Sequence, residues 1–253
     1  MTNRSEIIAY ARAFAAACAE QTIPIEGALL YLAPSFPRMH DLNTVAIRDA
    51  ARSFRHFVDA ADPLFEDAGL EHRKLDVDDE RHGPRLADEA SREPGWNMSR
   101  LVDMTWESDP GGAADIASEL PLEDLRELRE REHRAGFGGD DDLIRQFLDR
   151  DYVYRRAGNG RFFGVRDEDG VLQSSLNLFR IGRVAEIDDV QTAEAARGRG
   201  YARAAVLAAA RAARRDGAEI VFLCADEDDW PKDFYARLGF IPAGPRWELL
   251  RAP

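Results

Sequence analysis

The stretch Val184-Ala-Glu-Ile-Asp-Asp-Val-Gln-Thr-Ala-Glu-Ala-Ala-Arg-Gly-Arg-Gly-Tyr-Ala-Arg203 decides how this chain is organised. Its first part predicts a strand, and an Ala-rich helix is predicted from Arg199 to about Asp216. The two glycines in Arg197-Gly-Arg-Gly-Tyr-Ala202 allow the main chain to approach a ligand closely. The first turn of the helix leaves N–H groups without internal partners, and they point outward with the positive end of the helix dipole. This loop therefore predicts a site for a phosphate or pyrophosphate.

Two other nucleotide loops fit these residues less well. The Walker loop requires Gly-Lys-Ser/Thr, and the chain has Gly200-Tyr-Ala-Arg203 instead. A dinucleotide fingerprint beginning at Gly198 would place the long side chain of Arg203 where a small residue must let the helix pack on the strand. The remaining pattern, Arg/Gln-x-x-Gly-x-Gly/Ala, is met by Arg197, Gly200 and Ala202. It resembles the acetyl-CoA loop of the GCN5-related N-acetyltransferases (the GNAT family).

The residues that follow make this resemblance more specific. Glu219–Ala225 is an apolar run of strand length, and Asp226-Glu-Asp-Asp-Trp-Pro231 offers acidic helix caps and a proline suited to a first helical turn. Phe234-Tyr-Ala-Arg-Leu-Gly-Phe240 ends the short helix, with Gly239 as its stop. The acetyltransferase family has the same order, with Phe-Tyr-x-x-Leu-Gly-Phe in the short helix. The resemblance covers the segment from Leu120 to Arg251 well and the N-terminal half loosely.

The resemblance implies an α/β (α+β) acyl-CoA N-acyltransferase fold with a mixed, mostly antiparallel central sheet flanked by helices. A similar order of elements precedes Ser108-Asp-Pro-Gly-Gly-Ala-Ala114, the best linker candidate because Pro and Gly-Gly interrupt both periodicities. We therefore interpret the fold as duplicated, with a degenerate acetyltransferase-like unit at 1–110 and an acetyl-CoA-binding catalytic unit at 111–253. The first unit has Ala-Ala-Arg-Ser between Asp49 and Phe54 where a glycine loop is required, so it should not bind CoA. An unrelated α+β domain is the alternative for this half.

Hydrophobic periodicity predicts the remaining elements. In the N-terminal half these are helices at Ser5–Glu20, Ala50–Ala68 and Glu80–Arg92, and strands at Ile25–Leu32, Asn43–Arg48, Glu71–Val77 and Ser99–Trp106. In the C-terminal half they are a strand at Ile116–Leu120, helices at Pro121–Arg134 and Asp140–Tyr154, and a hairpin of Arg161–Asp167 and Val171–Ile181. The Asp-Gly turn at 169–170 supports this hairpin. In the family, the equivalent helix pair forms one side of the acceptor groove.

The resemblance also implies which residues hold the cofactor. The main-chain N–H groups of Gly198 to Arg203 would bind the diphosphate, at about 1.5–3 kcal/mol for each charge-assisted hydrogen bond. A main-chain N–H near Val190 would polarise the thioester carbonyl, because family members splay the central strand there. The full expected set is Val190, Gln191, Thr192, Arg197, Gly198, Arg199, Gly200, Tyr201, Ala202, Arg203 and Asp228. Asp228 falls where many family members have an asparagine against the pantetheine arm, and a helix cap is the alternative for it.

Transfer of an acetyl group to an amine requires a base. An alkylamine is neutral in only about one molecule per thousand at pH 7, a handicap of about 4 kcal/mol. Glu186 is the first candidate base and Asp188 the second, because they share one face of a regular strand while Asp189 points the other way. Glu186 also falls where the histone-acetyltransferase branch of the family carries its base. A water relay, or acids that only bind the charge of the acceptor, are the alternatives.

Tyr235 occupies the family position for protonating the thiolate that leaves. A tyrosine that packs there without donating a proton is the alternative. The leaving thiol has an ordinary pKa of about 8.5, so the acid contributes less than the base.

Composition limits the partners. The chain has 253 residues and a net charge of −13, which disfavours nucleic acid because phosphate neutralisation needs clustered Lys and Arg. The same charge favours a cationic acceptor, with solubility as the alternative explanation. Cys18 and Cys224 give no disulfide framework, and the histidines show no ligand spacing, so we expect no metal. No stretch reaches membrane-spanning length, so we expect no membrane partner and a cytoplasmic location.

These expectations together describe an N-acetyltransferase that moves an acetyl group from acetyl-CoA directly to an amine. The acceptor would be a small-molecule amine, favoured as cationic, or a peptide amine. The protein would be a monomer or homodimer. The alternative is a non-catalytic acyl-CoA-binding or interaction protein that kept the cofactor loop and lost the base.

Overall fold

The computed structural model describes residues 3–112 and 115–253, so the last two residues of the expected linker, Ala113 and Ala114, lie outside it. The chain divides into two compact units. The N-terminal unit comprises 3–103, Ala225–Lys232 and Pro242–Pro253, and the C-terminal unit comprises 104–112, 115–224 and Asp233–Ile241. This division differs from a single boundary at 110/111, because the end of the chain pairs with a strand of the N-terminal unit.

The N-terminal unit contains a sheet whose strands follow the order β1-β2-β3-β4-β11-β5. Its elements are α1 (Asn3–Cys18), β1 (Gln21–Ile25), β2 (Ala28–Leu32), β3 (Thr44–Ile47), α2 (Phe54–Asp67), β4 (Arg73–Val77), α3 (Gly83–Ser91), most of β5 (Trp96–Trp106) and most of β11 (Phe240–Arg251). β3 and β4 are parallel and are joined by α2. Their neighbours β2 and β11 run antiparallel to them.

The core of the N-terminal unit is built on α2. Phe54, Phe57, Ala61 and Phe65 recur at helical spacing and are buried, so one face of the helix covers the sheet. The side chain of Ser53 caps the helix by accepting from the N–H of His56. Buried Leu, Ile and Val residues of the strands complete this core.

The prediction of one strand over Ile25–Leu32 is wrong. Gly27 adopts a left-handed conformation with φ +82°, and the chain reverses there so that Ile25 pairs with Ala28. The first strand of this hairpin, β1, is largely exposed and contains Pro24, which lowers its strand signal in the sequence.

The C-terminal unit contains a second sheet region with the strand order β10-β9-β8-β7-β6. Its elements are β6 (Ala117–Leu120), α4 (Arg126–Gly136), α5 (Asp141–Ala157), β7 (Arg161–Arg166), β8 (Leu172–Ile181), β9 (Val184–Thr192), α6 (Tyr201–Arg215), β10 (Ile220–Asp226, as far as Cys224) and α7 (Pro231–Ala236, from Asp233 on). β9 and β10 are parallel and joined by α6, whereas the other neighbours are antiparallel. The predicted class, a mixed and mostly antiparallel sheet flanked by helices, is confirmed.

The helix predicted over Pro121–Arg134 is divided. Residues Leu122–Leu125 form a 3-10 turn, and α4 follows from Arg126. Leu122, Leu125 and Leu128 are buried together, as the pattern predicts. None of the described helices is long and apolar enough to cross a membrane.

The turn after α7 requires a glycine. Gly239 has φ +90°, and a Cβ added there would lie 1.8 Å from the main-chain oxygen of Ser108. We expect Gly239→Ala to lower the free energy of unfolding by about 2–4 kcal/mol, since left-handed strain adds to overpacking. Gly182→Ala is the matched control, because Gly182 has φ +59° and open space around it, which leaves only about 1–2 kcal/mol of strain. Denaturant titration measures both variants, and equal losses would contradict the role of Ser108.

Candidate functional site

The loop between β9 and α6 is open at its surface. Gly200 is the N-cap of α6 with φ +83°, and Gly198 has φ +76°. A Cβ at either glycine would meet nothing within 4 Å, so these positions need glycine for their backbone conformation. The first bond of the helix runs from the N–H of Ala204 to the oxygen of Gly200. The N–H groups of Tyr201–Arg203 precede that bond and can bind an anion.

β9 contains a β-bulge just before this loop. On β8, Asn177 faces Asp188 and Ser175 faces Gln191, so Asp189 and Val190 together oppose a single residue. Asp189 has φ +51°, a left-handed conformation that is uncommon outside glycine. The expectation of a regular strand therefore fails at Asp189. The extra residue reverses the alternation of the strand, so different main-chain groups face each edge beyond it.

The strand neighbouring β9 on its other side separates from it near the bulge. β9 and β10 pair from Ile220↔Val184 to Phe222↔Glu186. β9 continues to Thr192, and the described register gives it no further pair with β10. Main-chain N–H and C=O groups of β9 beyond Glu186 therefore have no described partner on β10. The opening of β9 near Val190 that the family resemblance implies stays a prediction.

The three acids of β9 lie in different surroundings. Glu186 lies between Phe179 of β8 and Phe222 of β10, in the middle of the sheet. Asp188 faces Asn177, and its carboxylate acts on the phenol of Tyr235. The carboxylate of Asp189 is directed elsewhere, toward guanidinium groups of α4 and α5.

Tyr235 is buried at the end of α7, beside Phe234 and Phe240. Burial, reinforced by the carboxylate of Asp188, raises the pKa of Tyr235 well above its usual range. The phenol therefore stays protonated at neutral pH and can donate a hydrogen bond. Cys224 also lies close enough to act on it. Asp188 is thus near enough to Tyr235 for its charge to act on the phenol.

Three other residues expected to bind the cofactor are Arg197, Arg203 and Asp228. The exposed Arg197 lies beside β9, with its Nε 3.4 Å from the oxygen of Thr192, and Arg203 donates to the oxygen of Gly111 at 2.9 Å. Asp228 is exposed and belongs to the N-terminal unit. Its N–H donates to the carboxylate of Asp226, and its contact with a cofactor stays a prediction.

A buried cluster of charged residues lies next to β9, and the sequence pattern does not indicate it. Arg129 of α4 is fully buried, and its guanidinium donates to Asp151 at 2.5 Å and to Asn177 at 2.6 Å. Arg150 of α5 lies over the rings of Phe147 and Tyr154. The many charged residues of α4 are typical of a solvent-exposed helix. The sequence pattern therefore does not indicate a buried arginine there.

His133 also borders this cluster. Burial, together with Arg150 and Arg129 and against the opposing effect of Asp189, holds the pKa of His133 below its usual value. The imidazole is therefore neutral at pH 7. Among the residues that the structure describes, no group of three or more His, Cys, Asp or Glu side chains could hold a metal ion.

Comparison with known families agrees with the position of the loop. Residues 122–240 match the profile of the Acetyltransferase (GNAT) family. This segment contains β9, the glycine loop, α6 and Tyr235. It ends where the chain returns to the N-terminal unit. No curated protein matches the chain.

Solved structures share the fold over both units. A functionally unknown conserved protein from Staphylococcus epidermidis is 16% identical, with a TM-score of 0.71 over 91% of this chain and 93% of that one. A GCN5-related N-acetyltransferase from Kribbella flavida is also 16% identical, with a TM-score of 0.67 over 100% and 97%. A tandem GNAT protein from the clavulanic acid biosynthesis pathway is 17% identical, with a TM-score of 0.57 over 89% and 79%. At these identities the likeness concerns the fold alone.

Proposed function

We propose that the C-terminal unit transfers an acetyl group from acetyl-CoA to an amine. The observation that carries this proposal is the combination at the end of β9. A bulged strand separates from its parallel neighbour and leads into a glycine-capped helix with an open N-terminus. The helix N-terminus suits a diphosphate, and the edge of β9 beyond Glu186 suits an extended arm with a thioester. The family profile over residues 122–240 supports acyl transfer.

The side chains near this edge supply the proton transfers. The amine attacks the thioester carbonyl carbon, the C–N bond forms, and the C–S bond breaks as the thiolate leaves. In our proposal Glu186 takes the proton of the amine, directly or through water, because it lies where the two strands begin to separate. Tyr235 gives its proton to the thiolate, and the charge of Asp188 acts on that phenol. Glu186 then releases a proton to water and Tyr235 takes one up, which restores both side chains. A main-chain N–H near Val190 stabilises the oxyanion.

The N-terminal unit is proposed as a degenerate copy of the same fold. Both units contain two parallel strands joined by a helix, β3-α2-β4 and β9-α6-β10. The start of α2, however, is already occupied. The carboxylate of Glu89 accepts from the N–H of Phe54 at 2.7 Å, and Ser53 accepts from His56. A carboxylate of the protein thus lies where a diphosphate would bind.

The acceptor is proposed to be a small cationic amine. The net charge of −13 raises the local concentration of cations and disfavours anionic acceptors. Peptide amines are the second class to test. A screen that measures CoA release from acetyl-CoA with polyamines, amino sugars, aminoglycosides and peptides decides between them. Tight acetyl-CoA binding without CoA release for any amine would favour a non-catalytic acyl-CoA-binding protein.

Tyr235→Phe should lower kcat about tenfold and leave acetyl-CoA affinity nearly unchanged, because the ring packing is kept and only a proton donor is lost. Steady-state rates with the best acceptor and calorimetry with acetyl-CoA measure the two effects. Tyr31→Phe removes a hydroxyl from a buried tyrosine of the N-terminal unit and should leave kcat unchanged. A wild-type rate for Tyr235→Phe would assign Tyr235 to packing alone.

A further inference from the structure

The buried arginine of α4 connects three elements around the bulge. Arg129 has no exposed surface, and it bonds Asp151 on α5 and Asn177 on β8. Its Nη2 also lies 3.7 Å from Oδ2 of Asp189 on β9. Arg150 adds a second guanidinium, 3.9 Å from the same oxygen. We call Arg129, Arg150, Asp151, Asn177 and Asp189 the Arg129 network.

Asp189 is the member of the network with an unfavourable backbone. Its φ of +51° lies in the left-handed region, which residues other than glycine adopt uncommonly, with asparagine and aspartate more frequent there than the rest. Oδ1 of Asp189 accepts from the amide of Gln191 at 2.8 Å, and Oδ2 faces the two guanidinium groups. Burial alone would raise the pKa of Asp189, but Arg129 and Arg150 overcome it and hold that pKa below its usual value. The carboxylate is therefore charged, and it is held by charges from outside its own strand.

The network is poorly suited to a purely stabilising role. Buried ion pairs contribute little net stability compared with apolar side chains of the same volume. Several polar atoms here have no hydrogen-bond partner among the described residues: Nε of Arg129, Oδ1 of Asp151, Nδ2 of Asn177 and Oδ2 of Asp189. What the charges do achieve is a fixed position for Asp189, because its carboxylate faces guanidinium groups carried by two other elements, α4 and α5.

We propose that Arg129 is a positioning residue that holds Asp189 in its left-handed conformation, so that the bulge presents the main chain near Val190 to the thioester. Arg129 acts through Asp189 and touches neither substrate. The role that this inference gives to the bulge, presenting main chain to the thioester, rests on the proposed function. The link between Arg129 and the bulge itself can be measured in the unliganded protein.

The sharpest test pairs two substitutions. Arg129→Met keeps the length of the side chain and leaves two carboxylates facing Arg150 alone. We expect kcat to fall about 100-fold, the range seen when an oxyanion donor is lost, with acetyl-CoA affinity within about threefold because the glycine loop is untouched. In Arg129→Met/Asp189→Gly, the glycine adopts positive φ unaided and Arg150 balances Asp151. This double variant should regain at least about tenfold in kcat. A double variant as slow as Arg129→Met would overturn the proposal.

A second series does not depend on Arg129→Met folding. Asp189→Gly and Asp189→Asn can both keep the left-handed backbone, whereas Asp189→Ala favours leaving it. We expect kcat within about fivefold of wild type for Gly and Asn, and a loss of about 30-fold for Ala. Equal losses in all three would show that the carboxylate itself is required and would overturn the positioning role.

Two readouts need no acceptor amine. Backbone chemical shifts of the unliganded protein report φ at residue 189, which should leave the left-handed region in Arg129→Met and return to it in the double variant. The infrared carbonyl band of bound acetyl-CoA, labelled with 13C, should follow the same order. A left-handed residue 189 in Arg129→Met would overturn the inference. If φ responds as expected but acetyl-CoA does not bind the wild type, the inference about the bulge stands and the proposed function fails.

Discussion

Replacement of Gly200 by valine is expected to weaken acetyl-CoA binding at least about 100-fold, which corresponds to about 2.7 kcal/mol. A β-branched residue does not adopt the φ of +83° that Gly200 has as the N-cap of α6. The loop must then change conformation, and its main-chain N–H groups no longer point at the diphosphate. Loss of two charge-assisted hydrogen bonds, at about 1.5–3 kcal/mol each, accounts for this effect. Isothermal titration calorimetry with acetyl-CoA measures it.

Gly182→Val is the matched control for this loop variant. Gly182 also has positive φ and open space around it, and it lies in the turn before β9, at the end of the strand opposite to the loop. The same substitution there should cost similar stability and leave the dissociation constant unchanged. If Gly200→Val binds acetyl-CoA as wild type does, the diphosphate does not bind at the start of α6.

Glu186→Gln should lower kcat about 100- to 1000-fold, the size of effect that follows from loss of a positioned general base. The amide is nearly isosteric, and Glu186 lies within the paired part of β9, so acetyl-CoA affinity should stay within about threefold of wild type. Rates measured from pH 6 to pH 10 complete the test. The variant should recover activity at high pH, where more of the amine is already neutral.

Asp188→Asn tests which of the two candidates, Glu186 or Asp188, acts as the base. Because Asp188 acts on Tyr235 and Arg150, we expect it to orient those groups and its loss to lower kcat about tenfold. Glu219→Gln, at the start of β10 and exposed, controls for loss of one negative charge and should leave kcat unchanged. A larger loss for Asp188→Asn than for Glu186→Gln would make Asp188 the base.

Local sequence signals predicted the parts of the site that depend on backbone chemistry. The glycines at 198 and 200 predict a loop with an unusual main chain, and both have positive φ in the structure. The strand before them is predicted from apolar residues, and the helix predicted from Arg199 to about Asp216 lies within two residues of its observed ends. Periodicity works here because each element buries one face.

Other parts of the site depend on contacts between distant segments, and no local pattern in the sequence indicates them. The bulge at Asp189 has neither glycine nor proline to mark it. Arg129 looks like any arginine of a solvent-exposed helix, and its partners Asp151 and Asn177 lie 22 and 48 residues further along the chain. The pairing of β11 with β4 joins the C-terminal segment to a strand that lies far away in the sequence. Such pairings are decided by packing, which one-dimensional patterns do not encode.

The two crossover helices differ in how their starting ends are neutralised. α2 carries its counter-charge permanently, since Glu89 comes from the same unit. α6 has no acidic residue in its first turn and no side-chain cap. In our proposal the diphosphate of bound acetyl-CoA neutralises this end of the helix, and that charge leaves with CoA after each turnover. In this proposal the protein itself neutralises the start of α2 permanently, whereas the start of α6 is neutralised only while a cofactor is bound.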